Sequence, residues 1–252
     1  MDETTRLRAL YLDLIEDAIV NRIYRDPPVQ TKRWKRLLFG EDNRKIGRDL
    51  PSQAHSMIGS VRMRNLRDLA ERVLSEGIPG DFIETGVWRG GACVYLRAIL
   101  KAHGVADRTV WVADSFAGLP PPDAQAYPAD KGDRHHRNSA LAVPRHEVEE
   151  VFRRYGLYDE QVRFLEGWFK ETLPEAPIER LALLRVDGDM YGSTWEALAA
   201  LYDRVSPGGF VIVDDYGAVK ACAQAVHDFL ERRGENPDII RVDWTGVWWR
   251  RA

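Results

Sequence analysis

The chain has 252 residues, 36 lysines and arginines against 39 aspartates and glutamates (formal charge −3), and 44% apolar residues. A chain of this length buries about three quarters of its unfolded surface, which fits one large α/β unit, and its near-neutral balance excludes a broad cationic field for nucleic acid or anionic lipid. Cys93 and Cys222 stand far apart, which excludes a disulfide framework or zinc knuckle and fits a reducing cytoplasm, and neither a secretory signal nor a bilayer-spanning run of ~18 apolar residues is present, so no membrane partner is expected.

Leu7, Leu10, Leu14, Ile15, Ala18, Ile19 and Ile23 recur at helical spacing and predict an amphipathic helix from Thr5 to Ile23. Tyr24 to Ser56 is irregular and basic, a loop-rich stretch that with the first helix makes residues 1–60 an extension over the main domain, 61–252. Asn65 to Gly77 is a second helix, Gly77 being placed as its left-handed cap. Seven strands are expected: Asp81–Glu84, Thr109–Ala113, Gln161–Leu165, Leu181–Val186, Gly209–Val213, Ile239–Val242 and Gly246–Arg250. The first five are spaced widely enough for crossover helices, so the sheet is expected to be mostly parallel and doubly wound. Ser193 and Glu196 form an S-x-x-E capping box at the start of the helix after the fourth strand. Pro120 to Val143, rich in proline and charge and without periodicity, is expected to be a lid over residues 120–143, with Tyr127, His135 and His136 as polar contacts to an acceptor and Tyr191 beyond it.

The chemistry concentrates at the carboxyl ends of the strands, where open parallel sheets bind ligands. Asp81-Phe82-Ile83-Glu84-Thr85-Gly86-Val87-Trp88-Arg89-Gly90-Gly91 runs from strand through glycine turn to a helix near Ala92, and Trp88 stands where a dinucleotide fold needs its second glycine. The bulky indole argues against a pyrophosphate. Glu84, and Asp114 at the end of the next strand, instead suit an adenosyl ligand with a cationic amino-acid tail, S-adenosylmethionine, one acid for the ammonium and one for the ribose diol. A plain βα turn with helix-capping acids is the alternative reading of this loop. Asp187, Asp214 and Asp215 end the neighbouring fourth and fifth strands, about 4.8 Å apart, and such carboxylates repel unless a hard cation such as Mg2+ sits among them. Cys93 and Cys222 read as small apolar fillers, and Trp195, Trp244, Trp248 and Trp249 as core or interface residues.

Taken in order, Glu84-Thr85-Gly86-Val87-Trp88-Arg89-Gly90-Gly91, Asp114-Ser115-Phe116, Val186-Asp187-Gly188-Asp189 and Val213-Asp214-Asp215-Tyr216 resemble the macrocin O-methyltransferase family, whose members methylate deoxysugar hydroxyls of macrolide and aminocoumarin antibiotics. Pro51 to Gly59, Phe164 to Phe169 and Gly246 to Arg251 extend the resemblance over almost the whole chain. It implies a class I methyltransferase, Rossmann-like, with Ser56 and Met57 covering S-adenosylmethionine. Glu84, Thr85, Gly86, Val87, Trp88, Asp114, Ser115, Phe116, Ala117 and Gly118 would bind it, with Trp168 near the adenine. Asp187, Asp214 and Asp215 would hold Mg2+, with Asp187 also catalytic, and Asp189 would be the general base for a glycoside hydroxyl. A homo-oligomer, dimer or dimer of dimers, is also implied. The acid pattern is similar to that of catechol-type methyltransferases, but Gly188-Asp189-Met190-Tyr191 lacks their lysine. A catechol substrate and a nucleotide-dependent oxidoreductase on the same architecture are the alternatives.

Overall fold

Short apolar runs that alternate with helical patterns build a seven-stranded sheet in the order β3-β2-β1-β4-β5-β7-β6. The computed structural model describes residues 2–29 and 41–252, so residues 30–40 of the loop-rich stretch lie outside what is described. The strands are β1 (Asp81–Thr85), β2 (Val110–Asp114), β3 (Val162–Glu166), β4 (Leu181–Val186), β5 (Val205–Val213), β6 (Ile240–Arg241) and β7 (Val247–Arg250). β1 to β5 pair in parallel, and β7 runs antiparallel to both β5 and β6. The expected strands are thus all present, and β5 begins four residues earlier than expected, across a register shift opposite Leu181–Leu183. The chain moves outward from β1 through β2 to β3, then returns to place β4 on the other side of β1, and this reversal opens the crevice at the carboxyl ends of β1 and β4.

The described helices are α1 (Glu3–Ile19), α2 (Glu41–Lys45), α3 (Gly59–Ser75), α4 (Gly91–Ala102), α5 (Arg145–Arg154), α6 (Phe169–Thr172), α7 (Tyr191–Leu201) and α8 (Lys220–Arg233). They cover both faces of the sheet. Leu12, Ile19, Leu66, Leu96 and Phe82 belong to the core on one face, and Leu198, Val226, Leu184 and Trp249 to the core on the other. None is long and apolar enough to cross a membrane among the described residues.

Two local expectations need correction. Asp2 caps α1 by accepting from Thr5 N at 2.8 Å, and the helix ends at Ile19 rather than Ile23. Its buried face carries Leu12 and Ile19, while Leu7, Leu10 and Leu14 are 54%, 57% and 60% exposed and form an uncovered stripe. The Ser193–Glu196 capping box does not form: α7 begins at Tyr191, three residues earlier than a Ser193 N-cap would place it, and the side chain of its N-cap residue, Met190, makes no cap hydrogen bond. Gly77, by contrast, follows α3 with φ 66, the left-handed conformation expected of it.

Candidate active site

Turns at the ends of β1, β2, β4 and β5 surround a cavity of about 800 Å3. Gly86 follows β1 with φ 88, and a Cβ there would lie 1.8 Å from the carbonyl oxygen of Asp187, so only glycine lets the β1 and β4 turns approach. Asp114 shapes the next turn: its Oδ2 accepts from Val87 N at 2.7 Å and its Oδ1 from Phe116 N at 2.8 Å. Ser115 Oγ also donates to Oδ1, at 3.4 Å. Burial raises the Asp114 carboxyl above its ordinary value.

Glu84 is deeper, only 2% exposed, and both its oxygens are engaged. Oε1 accepts from Arg185 Nη1 at 2.5 Å and Oε2 from the Cys93 thiol at 2.9 Å. Cys93 is therefore more than an apolar filler. Burial pushes the Glu84 carboxyl up to about 7, with Arg185 opposing the shift.

Arg185 is the residue that sequence reasoning overlooked. It is 1% exposed and donates to Glu84, to Asp187 Oδ2 at 2.7 Å and to Asp214 Oδ1. A second buried arginine, Arg62 on α3, donates to the other Asp214 oxygen, to Asp243 and to Gly47 O. The available signal was a charge inside the apolar run Leu181-Ala182-Leu183-Leu184-Arg185-Val186, since a cation in a buried strand requires carboxylates beside it.

Asp187, Asp214 and Asp215 converge as their strand-end positions predict, each offering a carboxylate oxygen within 4.8 Å of the others. Asp214 is neutralised by two guanidinium groups, whereas Asp215 has no such partner among the described residues and its Oδ2 accepts from Asp189 N at 3.1 Å. Burial and then the charges of Asp189, Asp187 and Asp214 raise the Asp215 carboxyl well above its usual range, and burial with Asp187 pushes Asp189 up to about 7. Asp187, Asp214 and Asp215, converging this closely, fit a hard divalent cation, which would relieve their repulsion.

Ser56, Met57, Gly86, Val87, Trp88, Ser115, Gly118 and Trp168 also line the cavity, as do Tyr127 and His135. Thr85, Phe116 and Ala117 do not reach it. Thr85 is fully buried, with its hydroxyl directed at the Arg185 carbonyl, and Phe116 packs on Phe164. His136 and Tyr191 are also off the wall: the Tyr191 hydroxyl donates to Asp228 at 3.0 Å, and its ring stacks on Trp195. Trp195, Trp248 and Trp249 pack in or against the cores, but Trp244 lines the cavity, its indole donating to Ile46 O at 2.8 Å.

Several residues of the 120–143 segment line this cavity, and the segment contains three short 3-10 turns, Pro128–Asp130, His135–Arg137 and Ser139–Leu141. Trp88 Nε1 donates to Ala140 O at 2.8 Å, which ties the segment to the glycine turn.

The sheet order, the reversed seventh strand and the acid-lined crevice at the switch point define a class I methyltransferase, an α/β Rossmann-like enzyme that uses S-adenosylmethionine. Residues 8–251 match the family described as Macrocin-O-methyltransferase (TylF), and the chain belongs to it as an O-methyltransferase. The 8-demethyl-8-(2,3-dimethoxy-alpha-L-rhamnosyl)-tetracenomycin-C 4'-O-methyltransferase of Streptomyces olivaceus is 53% identical over 253 residues, 99% of this chain and 95% of its own. The Mycinamicin III 3''-O-methyltransferase of Micromonospora griseorubida is 49% identical over 96% of each chain. The structure of the O-methyltransferase NovP matches with TM-score 0.92 and 49% identity, covering 97% of this chain and 99% of that one.

Proposed function

We propose that the protein transfers the methyl group of S-adenosylmethionine to a deoxysugar hydroxyl of a glycosylated natural product of the macrolide or aminocoumarin kind, with Mg2+ as its cation. The observation that carries this reading is one cavity whose wall includes both Gly86, Trp88 and Asp114 and the acids Asp187, Asp189 and Asp215. Asp114 lines the cavity where the ribose diol would lie, Glu84 supplies negative charge beneath the amino-acid tail, and Ser56, Met57 and Trp168 enclose the rest of the cofactor.

Asp187 and Asp215, with Asp214 behind them, would hold the cation, which when bound lowers the pKa of a sugar hydroxyl and orients it. Asp189, two residues from Asp187 and lining the same cavity, takes up the hydroxyl proton. Tyr127 and His135 line the acceptor side. The protein is proposed to be a homo-oligomer, and the uncovered leucine stripe on α1 supports self-association.

The test is calorimetric titration with S-adenosylhomocysteine and with NAD, each with and without Mg2+. It is followed by methyl-transfer assays on the rhamnosyl tetracenomycin, on mycinamicin III and on an aminocoumarin glycoside. Micromolar binding of S-adenosylhomocysteine alone, with turnover of a glycoside, is expected. Binding of NAD, or of neither, overturns the cofactor reading, and full turnover in chelator overturns the cation.

A further inference from the structure

Among the residues the proposed reaction does not use, Asp130 is the one whose burial calls for an explanation. It belongs to the 120–143 segment, yet it is only 3% exposed. Its Oδ1 accepts from Tyr191 N at 2.7 Å and its Oδ2 from Gly192 N at 2.8 Å. These are first-turn amides of α7, which no intrahelical carbonyl can satisfy, and the side chain of the helix's own N-cap residue, Met190, makes no cap hydrogen bond. A residue 61 positions upstream does the capping. Gly192 is shaped for the same contact: a Cβ there would lie 2.6 Å from the Tyr127 ring and 3.2 Å from Asp130 Oδ2.

The turn that α7 completes is Gly188-Asp189-Met190. Asp189 has φ 56, a left-handed conformation uncommon outside glycine, though aspartate enters it more readily than most residues. Its amide is clamped by Asp215 Oδ2 on one side. The clamp on the other side, two and three residues on, is Asp130.

We infer that Asp130 is a positioning residue which couples closure of the 120–143 segment over the acceptor to placement of the Asp189 carboxylate. This rests on the methyl-transfer reading and extends it. With the segment docked, the first turn of α7 is capped and Asp189 is held toward the cavity. With the segment lifted, two amides lose their acceptor, the turn relaxes, and the base is withdrawn from an open, wet cofactor site. Assembly of a catalytic group only under a closed cover is a known way to favour the correct acceptor.

The experiment compares wild type, Asp130→Ala, Asp130→Asn, Gly192→Ala, Asp189→Asn and the double variant Asp130→Ala/Asp189→Asn. Each is measured for affinity for S-adenosylhomocysteine by calorimetry, and for kcat and KM with whichever glycoside of the panel turns over. Misplacement of a reacting group by about 1 Å can cost on the order of a hundredfold. Asp130→Ala is therefore expected to lower kcat by at least about tenfold, with cofactor affinity within about twofold. Asp130→Asn, which keeps one acceptor oxygen, should fall between it and wild type. Gly192→Ala leaves Asp130 intact and puts a better helix former in α7, so it should also lower kcat while the protein stays folded. In the double variant the Asp130 change should cost less than about threefold beyond Asp189→Asn alone, because both act through one group.

Unchanged kcat in Asp130→Ala and Gly192→Ala overturns the inference. Additive losses with Asp189→Asn overturn the coupling alone and leave the base in place. Full activity of Asp189→Asn overturns the base assignment and the coupling with it. Should Asp130→Ala fail to fold, Asp130→Asn and Gly192→Ala carry the same cycle.

Discussion

Glu84 and Arg185 form an ion pair buried at both ends, with side-chain exposures of 3% and 1%, across the central strands β1 and β4. Removing one member of such a pair leaves a charge without compensation in a low-dielectric interior, at a cost of about 3–5 kcal/mol. Arg185→Met strips Glu84, Asp187 and Asp214 together of their shared cation. Urea unfolding should show a loss in that range, and a loss below about 1 kcal/mol would show that the guanidinium is not the keystone of the acids.

The same crowding predicts an inverse effect at Asp215, which is surrounded by acids and, among the described residues, receives a backbone amide rather than an arginine. In chelator, Asp215→Asn should be at least as stable as wild type, since it removes one of the repelling charges. Mg2+ at about 100 times its dissociation constant should stabilise wild type by about 2.7 kcal/mol, and Asp215→Asn much less. Thermal melts with and without Mg2+ read both effects, and equal Mg2+ shifts in the two proteins would remove Asp215 from the cation site.

His55 links the N-terminal segment to the methyltransferase core: its carbonyl accepts from Gly91 N at 3.0 Å, and its Nδ1 lies 3.0 Å from the Tyr155 hydroxyl. Burial, followed by Arg154 and Arg89, lowers its pKa from 6.5 to about 4. The unfolded chain therefore binds this proton at a higher pH than the folded protein. The stability this histidine allows is present above about 6.5 and is lost as pH falls toward 4, on the order of 2 kcal/mol between pH 7 and pH 5. Unfolding free energies from denaturant titration should fall by that amount in wild type and by less in His55→Gln, and parallel falls would assign the effect elsewhere.

Gly86→Ala places a methyl group against the Asp187 carbonyl and strains a backbone at φ 88. Neither end of that contact is flexible, so the substitution should cost at least about 4 kcal/mol, among the larger values for a single change. Equilibrium unfolding measures it. A cost near 1 kcal/mol would mean that the β1 and β4 turns separate easily.

What the amino-acid order determined by itself was most of what depends on near neighbours. Apolar runs between glycine turns marked all seven strands, Gly77 marked the end of α3, and acids written just after apolar runs had to emerge at the carboxyl edge of a parallel sheet. Glu84, Asp114, Asp187, Asp214 and Asp215 were legible for that reason.

The tertiary structure decided how those acids are occupied, because partners depend on strand register and on contacts far apart in the chain. Arg185 becomes a hub only once β4 lies between β1 and β5, which brings Glu84 and Asp214 to its two sides. α7 looked self-capped by Ser193 and Glu196, but Asp130 is a stronger cap reaching from 61 residues away, and it leaves Glu196 to accept from the Tyr127 hydroxyl. Helical spacing alone showed a row of leucines on α1. That Leu12 and Ile19 are buried while Leu7, Leu10 and Leu14 face outward follows from where α3 and α4 stand, which periodicity does not encode.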